Sequence, residues 1–149
     1  MVMSEVAYPT IFTETETNIL IEIPDLGILT EANSEDEKMG SLADAVAMAR
    51  DVIGLHCVSL EDNGEAIAVA SKIQEIDIKT STFYEDGKTF VSVVDVDLLV
   101  YRQKNDMKMV RRNVTLPNWL NREAEAAHIN VSRVLQEALM SKLNISKLI

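Results

Sequence analysis

Arg111, Asn113 and Thr115 stand two residues apart within "VRRNVTLPNWL", and each side chain can address a hydrogen-bonding edge. An arginine fork donates twice in parallel, an asparagine amide sets a donor beside an acceptor, and a threonine offers a hydroxyl and a methyl. Residues two apart on an extended segment project from one face. Such a face could read nucleic-acid bases, arginine taking guanine O6 and N7 and asparagine an adenine edge. Arg112, Val114 and Leu116 have the opposite parity. Arg112 sits awkwardly on that side, where it either snorkels at the end of the segment or reaches a phosphate, and the sequence leaves both open. A solvated ribbon with a purely structural role is the other reading of the triad.

The elements that must position these residues follow at once. Pro117 ends the extended segment, since it has no N–H to donate, and its fixed φ suits the start of a helix. Leu120, Ala124 and Ala127 then form an apolar stripe. Asn130 is a good cap for a second helix, in which Val131, Val134, Leu135, Ala138, Leu139 and Leu143 make a stronger amphipathic face. The start of that helix, at Asn130, Val131 and Ser132, presents free N–H groups where a phosphate could sit, with Arg133 beside it. One strand and two helices within about 35 residues make only a marginal core, and a lone strand leaves both edges open. A second copy removes both problems, its strand pairing antiparallel and its helices interlocking beneath. A homodimer, or a higher even-numbered oligomer, is therefore expected. The resulting two-stranded ribbon fits a major groove.

Other chemically equipped residues are sparse. Asp95 and Asp97 project to one side of a strand and could form a metal-binding or catalytic pair, but no histidine or third acid follows at a matching spacing. Cys57 and two histidines are too few for a tetrahedral metal site. His56 and Cys57, near the end of a helix, are read as surface or half-buried structural residues. No catalytic residue, cofactor site or metal site is expected, and hence no enzyme. A single cysteine excludes an intrachain disulfide framework. With no basic-then-apolar leader at the N-terminus, it points to a cytoplasmic protein. The longest nearly uncharged stretch, "NILIEIP", is far too short to cross a bilayer, so no membrane partner is expected.

The 149 residues suit one small domain with a module at one end, and 47% hydrophobic content is that of a globular chain. Charge divides the chain. Residues 1–106 hold 7 Lys/Arg against 21 Asp/Glu, a net of −14, while residues 107–149 hold 7 against 3, a net of +4. An acidic body suits a basic protein partner and a basic tail suits a polyanion. In the body, residues 6–26 read as two extended segments joined by "TETETN". "GILTEANSEDEKMG" begins as a possible third strand and passes into an acidic loop around residues 34–37. "SLADAVAMARDVIGLHCVSLEDNG" reads as a helix capped by Ser41 with Asp44 three residues on. "AIAVASKIQEIDI" is irregular. Residues 88–101, "KTFVSVVDVDLLVY", carry the strongest strand signal, that of a strand buried on both faces or at the centre of a sheet. "RQKNDMK" then separates body from tail. The expected fold class is α/β, more closely α+β, with three or four strands and at least one packed helix.

Residues 108–143 resemble the ribbon–helix–helix DNA-binding domains. The chain as a whole is similar to the HicB family of bacterial antitoxins, whose pattern is matched in order by "YPTIF", "IEIPDL", "SLADAVAMARDVIGLH" and "VRRNVTLPNWLNREAEAAHINVSRVLQEAL". The resemblance implies that residues 1–106 form a partial, non-catalytic RNase H-like fold. That domain would bind a HicA-like toxin, a small basic ribonuclease that cleaves mRNA. Residues 107–149 would dimerise, bind operator double-stranded DNA and repress the toxin–antitoxin operon. The family's base-reading positions fall on Arg111, Asn113 and Thr115, and its phosphate-clamping helix start on Asn130, Val131 and Ser132. The chain departs from the pattern after "PDL", where "GILTEANSEDEKMG" replaces a Pro-Gly and a short turn, and at "AIAVASKIQ", which lacks a proline-rich form. Two rival readings are a stand-alone ribbon–helix–helix repressor with a ligand-binding or oligomerising body, and a nuclease using the carboxylates of the body.

Overall fold

Strand β1, Glu5–Glu14, is a run of β-branched and aromatic residues buried from Tyr8 to Thr13. It lies at the middle of an antiparallel sheet with β2 (Ile19–Ile23), β3 (Ile28–Ala32) and β4 (Lys88–Asp97), in the order β3-β2-β1-β4. Four helices complete an α+β arrangement among the described residues: α1 (Leu42–Asp62), α2 (Leu98–Asn105), α3 (Asn118–Ala126) and α4 (Val131–Leu143). This computed structural model describes residues 5–32 and 40–146; the acidic loop expected at residues 34–37 lies outside them. Two compact units emerge, Met1–Asp106 and Met107–Ile149.

In the first unit α1 lies across one face of the sheet. Its start is fixed as the sequence predicts: Ser41 Oγ accepts from Asp44 N at 3.1 Å, and Asp44 Oδ2 accepts from Ser41 N at 2.9 Å. Its end is a Schellman turn, with Glu65 N donating to Leu60 O at 2.8 Å around Gly64, whose φ of 72° favours glycine. Ala45, Ala49, Ile53 and Cys57, each four residues from the last, bury one stripe of the helix against Val6, Tyr8, Phe12, Ile21, Ile23, Val94 and Val96. Phe12 and Phe90, paired across β1 and β4, stack with centroids 5.4 Å apart.

Ile11 and Thr13 have the opposite parity to Phe12 and are buried as well. On this side Thr13 and Thr89 share a hydroxyl hydrogen bond of 2.9 Å. The irregular segment that returns the chain to β4 runs through short 3-10 turns at Ile73–Glu75, Ile78–Thr80 and Tyr84–Asp86. Side chains tether it to the sheet. Asp25 accepts from Ser71 N and Oγ, Glu22 accepts from Thr82 Oγ1 at 2.9 Å, and the Tyr8 hydroxyl donates to Ala68 O at 2.6 Å.

Two expectations are corrected here, on the extent and the place of the last strand, and a third segment gains detail. Residues 88–101 are not one strand, because β4 stops at Asp97, whose carboxylate accepts from Leu99 N and Val100 N and so caps α2. Nor is β4 central: it is an edge strand with Val93 half exposed, and β1 is the strand buried on both faces. The separator "RQKNDMK" is helical as far as Asn105, and Arg102 ties it to α1 through Asp62 at 3.0 Å and Glu61 at 3.5 Å.

The second unit holds α3 and α4, each closed by a Schellman turn. Ile129 N donates to Ala124 O around His128 at φ 55°, and Ile145 N donates to Met140 O around Asn144 at φ 56°. None of its described residues is buried.

One packing detail in the first unit makes a direct prediction. A β-carbon at Gly54 would come within 2.7 Å of Tyr101 Cε2 and collide with other atoms of that ring. Helix propensity alone favours Ala over Gly by about 1 kcal/mol. We expect Gly54→Ala instead to destabilise the body, by roughly 1–3 kcal/mol from overpacking. Denaturant unfolding followed by circular dichroism gives the sign, and a stabilised variant would refute the close seating of α2 on α1.

Candidate functional site

Residues 106–117 contain no helix and no strand ladder, and Arg111, Asn113 and Thr115 are all exposed. A ribbon strand needs a neighbour to bond with, and the four strands of the described residues pair only among themselves. Arg112 is exposed too, and Leu116 is half-buried. Helix α3 begins directly after Pro117, which stands at its cap with φ −55°.

The start of α4 follows the sequence expectation in detail. Asn130 Oδ1 accepts from Arg133 N at 3.1 Å, the side-chain cap of a helix N-terminus. That bond uses one of the free N–H groups, and those of Val131 and Ser132 remain as donors at the positive end of the helix dipole. Arg133 is partly engaged: its Nε lies 3.1 Å from Glu137 Oε1, one turn on. Both side chains are mostly exposed, and a pair of this kind contributes only about 0.3–0.5 kcal/mol. An incoming phosphate could exchange with Glu137 at little cost.

Around these residues the unit shows far more apolar surface than a finished domain does. Val114, Trp119, Ile129, Val134, Leu139 and Leu143 are each between 49% and 67% exposed. Scattered exposed apolar residues are ordinary, whereas this many on one small unit with no buried residue at all is not.

Among the described residues of the body, Asp95 and Asp97 are each engaged by other groups. Asp95 pairs with Arg50, whose Nη2 lies 3.1 Å from Oδ1 and whose Nε donates to the Asp95 carbonyl at 3.1 Å. Asp97 is occupied as the cap of α2. Among the described residues, no three His, Cys, Asp or Glu side chains come together as metal ligands. Cys57 is fully buried rather than half-buried, and His56 is half-buried. Burial pushes the Cys57 thiol up from its ordinary pKa, against the lowering effect of its hydrogen bond with Tyr8. It is thus held as the protonated, unreactive form. No described helix is long and apolar enough to cross a membrane.

Sequence reasoning missed Arg50, Asp51 and Tyr101, which meet the end of β4 across α1 and α2. No local signal marks them, because they come together only where the chain bends at Asp97.

Comparison with known proteins bears on both units. No curated protein matches. A solved toxin–antitoxin complex from Streptococcus pneumoniae contains a chain that aligns with 93% of this one over 99% of its own length, with a TM-score of 0.55 and 22% identity, a likeness of fold. A family model described as the HicB-like antitoxin of bacterial toxin–antitoxin systems matches residues 8–140, from β1 into α4. The chain belongs to the HicB-like antitoxin family.

Proposed function

We propose that this protein is a non-enzymatic, cytoplasmic antitoxin with two binding surfaces. The body, as a partial RNase H-like fold, neutralises a HicA-like toxin, a small basic mRNA-cleaving ribonuclease, by covering its active surface. The tail, as a ribbon–helix–helix dimer, binds operator DNA and represses its own operon. Arg111, Asn113 and Thr115 read bases, while Val131 and Ser132 at the Asn130-capped start of α4, with Arg133, hold a phosphate.

One observation carries this reading: the tail buries none of its described large apolar side chains and exposes most of them, while presenting a polar, basic edge with no strand beside it among the described residues. Burying a large apolar side chain contributes about 1.5–3 kcal/mol. Half a dozen from each copy outweigh an association cost of about 4–15 kcal/mol. A two-fold ribbon then sets two identical triads side by side, as a two-fold operator requires. The body's net charge of −14 supports a basic partner for the other surface, through complementarity that speeds encounter and excludes acidic competitors.

Replacing Arg111 or Asn113 with Ala removes one bidentate base contact from each copy, about 1–3 kcal/mol apiece, and should weaken specific operator binding by about 30-fold or more while the dimer persists in sedimentation. Unchanged affinity would remove the ribbon assignment. The melting temperature of the isolated tail should rise with protein concentration, as it must when folding and association are one event; a concentration-independent melt argues for a folded monomer. A HicA-like toxin expressed alone should arrest growth, and co-expression of this chain should restore it. Full repression without any such rescue would favour the stand-alone repressor.

A further inference from the structure

Where β4 bends into α2 a groove of about 480 Å³ opens beside the middle of α1. Its floor is carbon, from Val96, Val100 and the ring of Tyr101, and its rim is acidic. Two of the four rim carboxylates are already committed, Asp95 to Arg50 and Asp97 to the cap of α2. Glu5 and Asp51 make no ion pair among the described residues, and Lys104, which also lines the groove, pairs with neither.

The two remaining carboxylates sit in surroundings that favour a cation. Glu5 is the cross-strand partner of Asp97 in the last pair of β1 and β4, and like charges set directly opposite repel. Asp51 acts on Tyr101, whose phenol is pushed up first by burial and then by that charge. The acids do not converge as metal ligands. A carbon floor ending in separated carboxylates suits an aliphatic stem with a cationic head.

We propose that this groove is a docking site for a lysine or arginine side chain of the basic toxin, its stem lying on Val96 and Tyr101 and its head between Glu5 and Asp51. The inference rests on the antitoxin reading and adds to it a place on the body. The surface was hidden from the sequence because its lining is divided among β1, α1, β4 and α2, segments far apart along the chain.

The test titrates the full-length protein with the basic HicA-like toxin of its proposed operon, by calorimetry at low salt. Glu5→Gln with Asp51→Asn should weaken binding about tenfold or more. Glu75→Gln with Glu85→Gln removes the same charge from exposed positions away from the groove, and should change affinity less than about twofold. Ala47→Lys, on the exposed side of α1 within the groove, supplies a competing cation and should also weaken binding. Thermal melts and operator binding should match wild type throughout. Equal losses from both double variants would assign the effect to bulk charge and overturn the groove. Wild-type affinity in the first double variant and in Ala47→Lys would overturn it as well, leaving the antitoxin reading intact. A wild-type protein that fails to bind that toxin would overturn both.

Discussion

A segment with no ladder, residues 106–117, is the constraint on which the rest of this molecule turns. Backbone N–H and C=O groups need partners, and apolar side chains need cover. The Met107–Ile149 unit supplies neither for itself: residues 106–117 have no ladder, and none of its described residues is buried. The sheet of the body is built the other way, with β1 flanked on both sides and covered on both faces. One unit is complete within a single chain. The other leaves its described apolar side chains without full cover, and the proposed second copy would supply a strand and cover together.

The opposite charges of the two units fit this division. A chain with a net charge of −10 is a poor ligand for DNA if its charge is spread evenly, since a polyanion repels it at every approach. Segregation changes the balance. The tail carries +4 and the body −14, and screening confines the influence of each to about 8–10 Å at ordinary salt. Each unit can therefore address a partner of its own sign preference.

Carboxylates in the body do more than set its charge. Asp44 and Asp97 organise helix starts, and Glu22 and Asp25 hold the irregular return segment against the sheet. Spending acids on backbone donors removes them from any catalytic assembly, consistent with the absence of a clustered ligand set among the described residues. Of the four acids that line the groove, Glu5 and Asp51 are the two not used as a cap or in an ion pair among the described residues.

Local patterns carried much of this in the sequence. The Ser41 capping box, the Asn130 cap, the helix start after Pro117 and the periodicity of α1 and α4 depend on residues within one or two turns of each other, so they can be read from spacing alone. The same holds for the division of charge. Tertiary structure decided what local pattern leaves undetermined. Residues 88–101 read as one apolar strand, yet hydropathy does not say where a buried run changes from strand to helix, and a single carboxylate, Asp97, makes that choice. Which strand is central was settled by cover on both faces, which falls to β1 because the return segment between α1 and β4 folds over it. The groove of Glu5, Asp51 and Tyr101 joins residues far apart along the chain. Its chemistry was always in the sequence, but only the bend at Asp97 and the space left by Gly54 bring it to one place.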